Sequence, residues 1–107
     1  MRLRYYKRRT VYLDYAAAIT FTVPSECDTL RIGQLTGPLA LSIVDPNAKD
    51  GDYFKVLYQG DGTARALTIG GTNGQAATYN IATATGACLQ LVFNETIAKY
   101  VPVVQPG

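Results

Sequence analysis

The sequence predicts an all-β domain: an antiparallel β-sandwich or jelly roll of about eight short strands behind a basic N-terminal arm. Three observations predict it. Eight Tyr and three Phe stand among many Val, Ile and Thr, types that fit a pleated, half-buried surface. Ten Gly and five Pro interrupt the chain at short intervals. No ten-residue stretch carries a helical repeat, which excludes alternating βαβ folds because no crossover is long enough to be a helix. At 107 residues the chain makes one domain with one modest core.

The elements follow in order. Residues 1–15 mix bases with aromatics and read as an exposed arm, able to become a strand once something pairs with it. Residues 16–107 form the domain. Within it, 19–23 alternates apolar and polar with period two, a half-buried strand that Pro24 and Ser25 end. Residues 29–32 repeat the pattern, and 39–44 make the next strand, broken by Asp45-Pro46-Asn47. Residues 53–59 form an aromatic strand with two faces. Tyr53, Lys55, Leu57 and Gln59 share one, and Phe54, Val56 and Tyr58 share the other, the better core candidate. Asp61-Gly62 then signals a hairpin into a strand at 64–69, with Leu67 and Ile69 on one face. A flexible turn at 70–75 leads to a weaker strand at 78–82. Leu89, Leu91 and Phe93 share a face of the strand at 88–93, and Pro102 makes the last strand, 97–104, an edge strand or a terminal tail.

Charge is scarce and unevenly placed. Charged residues are 17% of the chain, below the usual quarter or so, which suggests a surface partly covered by a partner. Residues 1–9 hold five bases and no acid, whereas residues 10–107 hold five bases against eight acids, a net of −3. A basic arm is joined to a mildly acidic body. Arg2–Arg9 before three alanines is not a secretory leader, because Asp14 cuts the apolar middle short. No run approaches the length of a membrane span.

Little in the sequence points to catalysis. The chain has no His, so it lacks the commonest neutral-pH base and metal ligand, and no Ser-His-Asp or Cys-His arrangement can be built. Cys27 and Cys88, 61 positions apart, read as buried thiols of a protein made in a cytoplasm, with a later disulfide as the other possibility. The segment from Asp45 through Asn47 to Asp52 begins like a calcium loop, but Lys49 falls where a ligand is needed and Gly51 is one place late. It reads instead as a polar turn whose Asp and Asn bond to their own backbone. Arg65 is placed to pair with Asp61 or Asp52. The expectation is therefore no catalytic residue, no metal and no cofactor.

From Gly51 the residues resemble a known module. Gly51-Asp52, the aromatic strand 53–59, Gly60-Asp61-Gly62-Thr63-Ala64-Arg65 and the Thr-containing strand to Gly70 are similar to a segment of tailed-bacteriophage virion proteins. It occurs in capsid decoration, head-fibre and tail-fibre proteins. The likeness covers about residues 38–104 and is clearest at 51–70. The closing strands depart from it: Phe93-Asn94-Glu95-Thr96 stands where the family has Asp-Gly-Thr and a further aromatic, and the chain has no Trp. The resemblance implies a β-sandwich, a non-enzymatic structural part of the virion, no cofactor and a homotrimer. The chain's shortness favours a decoration or head-fibre protein over a receptor-binding fibre.

The arm lies outside that resemblance and supplies the candidate binding residues: Arg2, Arg4, Tyr5, Tyr6, Lys7, Arg8, Arg9 and Tyr12. Arg and Tyr are the types that anchor interfaces. Three roles compete: docking on another virion protein, above all the major capsid protein; contact with packaged DNA; and a solubilising tail. The expected place is the virion, after synthesis in the host cytoplasm. A receptor- or carbohydrate-binding module is the alternative, and it would need exposed aromatics such as Tyr53 and Tyr79 gathered around a groove.

Overall fold

The computed structural model describes residues 9–81 and 86–103, and all regular structure in them is β. The strands are β1 (Arg9–Leu13), β2 (Ala18–Thr22), β3 (Cys27–Ile32), β4 (Leu39–Val44), β5 (Tyr53–Gln59), β6 (Arg65–Gly70), β7 (Ala77–Ile81), β8 (Gly86–Asn94) and β9 (Lys99–Pro102). Eight of them lie where period-two patterning and turn residues put them. The exception is β1, which falls inside the segment read as an arm and pairs with β3 of the same chain.

The chain winds. Strands β1, β3 and β5 belong to one sheet, and β2, β4 and β6 to the other, so each connection up to β6 crosses from one sheet to its opposite. In-sheet neighbours therefore run parallel: β1 with β3, β3 with β5, β2 with β4, and β4 with β6. After β6 the chain turns back. Strand β7 pairs antiparallel with β6, β8 with β5, and β9 with β8. The first sheet has the order β1-β3-β5-β8-β9 and the second β2-β4-β6-β7.

Both sheets are thus mixed, and the antiparallel expectation needs correcting. Parallel neighbours need a crossover, but here a strand of the facing sheet provides it. Lack of helix-length segments excludes βαβ units without excluding parallel pairs. The Asp61-Gly62 hairpin is corrected for the same reason. Phe54 and Val56 of β5 and Leu67 and Ile69 of β6 are all buried, and they face one core from opposite sheets. The turn between them joins sheets rather than neighbouring strands, and Leu35 N–H, from the β3–β4 loop, takes the Gln59 carbonyl at 2.8 Å.

The core fills the space between the sheets. Leu39, Leu41 and Ile43 of β4 meet Leu30, Ile32, Phe54, Val56, Leu91 and Phe93 of the first sheet. Removing such a side chain from water contributes about 1.5–3 kcal/mol. Aromatic rings bridge the layers. Phe21 of β2 stacks on Phe54 with ring centroids 5.9 Å apart, Phe54 lies 5.5 Å from Tyr100, and Tyr100 meets Phe93 edge-on at 5.1 Å. The expected core face of β5 is the observed one for Phe54 and Val56, with Tyr58 half-buried. Pro102 lies on an edge strand, β9, as expected. Among the described residues no helix is long and apolar enough to cross a membrane.

Candidate functional site

The arm joins the body at Arg9. Its N–H donates to the Glu26 carbonyl at 3.2 Å, and Arg9 pairs with Cys27 before a register shift places Thr10 opposite Thr29. Arg2, Arg4, Tyr5, Tyr6, Lys7 and Arg8 lie outside the described residues. Of the candidate binding residues, Arg9 and Tyr12 are described, and both are exposed.

Tyr12 is 71% exposed because it points away from the core on a strand at the sheet's edge. Cross-strand register carries its row through Arg31 of β3 and Leu57 of β5 to Cys88 of β8. The next rows on that face bring Lys55 opposite Gln90, and Tyr53, 63% exposed, opposite Val92. Asp28 is the one acid in β1, β3, β5 and β8; it is half-buried near the start of β3, its Oδ1 accepting the Thr29 hydroxyl at 2.7 Å. The outer face of the first sheet is thus aromatic and basic. The outer face of the second sheet has no charged residue: its central row runs Ala18, Ala40, Thr68 and Thr78. Tyr79 pairs with the buried Leu67 and packs against the core, so it does not join Tyr53 on a common groove.

Acidic side chains gather in the loops: Glu26, Asp45 and Asp52 line one hollow together with Lys49. Asp45 is buried, and its Oδ1 accepts the Asn47 N–H at 3.1 Å, the Asx turn expected of an Asp-Pro-Asn segment. Its Oδ2 accepts the Tyr100 hydroxyl at 2.7 Å. Asn73 completes a clasp: its Oδ1 accepts the Asp45 N–H at 2.7 Å, its Nδ2 donates to the Ala98 carbonyl at 2.9 Å, and its carbonyl accepts the Tyr100 N–H at 2.7 Å. Burial, reinforced by the Asp45 carboxylate at the hydroxyl, holds the Tyr100 phenol far above the ordinary tyrosine range. The other loop carboxylates serve backbone as well. Asp50 Oδ1 accepts the Glu95 N–H at 2.8 Å, and Asp52 Oδ2 accepts the Lys49 N–H at 3.0 Å. Among the described residues no group of three or more Asp, Glu or Cys is placed to hold a metal ion.

Cys27 and Cys88 are not joined to each other. Cys27 is buried, its thiol against the Thr29 carbonyl at 3.5 Å, whereas Cys88 is exposed on the outward side of β8. The expectation of two buried thiols is thus met by one. Cys88 lies in a shallow hollow with Arg31, Leu57 and Tyr58. Burial, and next the proximity of Cys88, raises the Tyr58 phenol above its usual range. Of the two acids offered to Arg65 by the sequence, it pairs with Asp61, through two bonds of 3.2 and 2.7 Å. That contact draws the Asp61 carboxyl below the ordinary range.

The clasp was invisible in the sequence, because Asp45 and Tyr100 lie 55 positions apart. No protein-family model and no curated protein matches the chain.

Proposed function

We propose that the chain is a non-enzymatic structural component of a tailed-phage particle, a capsid decoration or head-fibre protein held to the shell through its arm. One observation carries the reading. At the root of a five-base arm, Tyr12 stands 71% exposed on an outward face with Arg31 and Lys55. Such a face suits a partner with a neutral or acidic surface, and the major capsid protein is the partner proposed. Exposed Tyr beside Arg is the residue chemistry of interface anchors. The uncharged outer face of the second sheet leaves room for self-association, with a homotrimer as the expected state. The particle is the proposed location, after synthesis in the host cytoplasm.

The test is co-sedimentation with empty capsid shells of the encoding phage. The full chain is compared with Tyr12→Ala and with a chain carrying Arg2, Arg4, Lys7 and Arg8 all changed to Ala. The full chain should pellet with shells, and both variants should remain mainly in solution. Failure of the full chain to bind shells would overturn the reading and favour a tail or receptor-binding role. Binding to DNA alone that collapses with added salt would favour nucleic acid instead.

A further inference from the structure

We propose that Asn73-Gly74 is a deamidation site that the fold keeps closed, so that opening the clasp exposes it to a covalent change the clasp does not survive. The inference goes beyond the proposed role and stands whatever the partner is.

The pair itself is the first observation. The chain has four Asn, and Asn73 is the one followed by Gly. In an Asn-Gly pair no Cβ shields the following nitrogen, and the backbone turns freely enough to bring it onto the carboxamide carbon. The Gly74 nitrogen then bonds to Asn73 Cγ, the bond from Cγ to Nδ2 breaks, and ammonia leaves carrying the proton of the Gly74 amide. Water opens the resulting cyclic imide at either carbonyl and gives aspartate or isoaspartate.

The second observation is how firmly the fold pins the reacting groups. The Asn73 carboxamide is held at both ends, Oδ1 by the Asp45 N–H at 2.7 Å and Nδ2 by the Ala98 carbonyl at 2.9 Å. Its main chain is held too: the N–H donates to the Ile43 carbonyl at 2.9 Å, and the carbonyl accepts the Tyr100 N–H at 2.7 Å. Beyond Gly74, the Gln75 N–H donates to the Tyr100 carbonyl at 3.0 Å. Attack requires the carboxamide to turn its face to the Gly74 nitrogen, and that rotation breaks both side-chain bonds. Gly74 is buried, which keeps away the hydroxide that would take its proton.

The third observation is that the fold needs both residues. A Cβ at Gly74 would run into the Gly70 carbonyl oxygen. Position 73 needs an acceptor and a donor on separate atoms, which a carboxamide supplies. Ala98, whose carbonyl Asn73 holds, has φ +56°, a strained backbone for a residue with a Cβ. Deamidation undoes these contacts. Aspartate at 73 presents an acceptor to the Ala98 carbonyl in place of a donor. Isoaspartate inserts a side-chain carbon into the main chain and puts the Ile43 and Tyr100 bonds out of step. The loop after β4 and the turn before β9 then lose their common tie.

Peptide mass spectrometry of the full chain, kept in mildly alkaline buffer with and without unfolding urea, tests it. In urea Asn73 should deamidate at least about tenfold faster than Asn47, Asn80 and Asn94, and in buffer it should be about a hundredfold or more slower than in urea. Two variants locate the gate. Tyr100→Phe loses the hydroxyl bond to Asp45 and should speed the change in buffer by about fivefold or more, whereas Ile32→Val, a core change in β3, should leave it within about twofold. Chain deamidated in urea and returned to buffer should unfold at lower urea than unmodified chain refolded the same way. The proposal is overturned if Asn73 reacts as fast in buffer as in urea, or in urea no faster than the other Asn. It is overturned equally if both variants speed the reaction in proportion to their loss of global stability, or if the deamidated chain recovers the native urea midpoint.

Discussion

The Asp45–Tyr100 bond and the Asp61–Arg65 pair are both short carboxylate contacts beside a turn, at 2.7 Å each. They differ in what surrounds them. Asp61 and Arg65 belong to one turn, four positions apart, at the surface. Asp45 and Tyr100 are buried and tie the loop after β4 to strand β9, with Asn73 of the β6–β7 loop bonded to both. Water and salt compete for the first contact. Losing the second leaves Asp45 Oδ2 short of a donor away from water, although the Asn47 N–H still serves Oδ1. The lesson is that a contact of equal length stabilises a local turn in one place and the closure of the fold in the other.

The contrast is greatest at Tyr100. Tyr100→Ala removes a fully buried ring from between Phe54 and Phe93 and leaves the Asp45 carboxylate without its hydroxyl donor. Urea unfolding should show a loss of about 3–5 kcal/mol. A loss under about 1 kcal/mol would mean the clasp does not hold the loops together.

Two glycines give the next contrast. Gly62, in the turn with Asp61, has φ +89° and nothing near a would-be Cβ. Gly71, against β4, has φ +92° and would place a Cβ 2.7 Å from the Ile43 amide nitrogen. Gly62→Ala should cost only the left-handed backbone, about 1–2 kcal/mol. Gly71→Ala should cost clearly more, since backbone cannot yield as a side-chain tip does. Equal effects would remove the distinction between the two regions.

Alkaline pH provides a third test. The unfolded chain releases the Tyr100 proton near pH 10, and the folded chain holds it far beyond that. The folded state therefore binds more protons above about pH 10, and stability falls as pH rises from there, after being fully present below. Tyr100→Phe should flatten this limb by up to about 1.4 kcal/mol per pH unit, read from urea midpoints between pH 8 and 11.

The smallest effect belongs to Arg65→Met. The unfolding midpoint at neutral pH should barely move, and adding salt should shrink even that shift. The Asp61 carboxyl is held low by Arg65, so its contribution is present above the ordinary carboxylate range and fades on acidification through the lowered value. The variant's difference from the native chain should vanish over that acid window.

Alternation of apolar and polar residues is a local property, so eight of the nine described strands were legible in the sequence, and β1, inside the segment read as an arm, was not. Phe54 and Val56, Leu67 and Ile69, and Leu91 and Phe93 were assignable to the core from period two alone. Asp61–Arg65 and the Asx turn at Asp45 were legible for the same reason: their partners lie within four residues. At the binding surface, the sequence picked out Tyr12 but not Arg31, Leu57 or Cys88, which only the register of three strands brings into its row. Parallel pairing was decided by the tertiary structure. A strand's pattern tells which face is buried but not which sheet it joins, so a winding chain and a chain of hairpins read alike. The clasp also belongs to tertiary structure alone. Asp45, Asn73 and Tyr100 are ordinary turn and strand residues in sequence, and only the closing of both sheets over one core brings them within bonding distance.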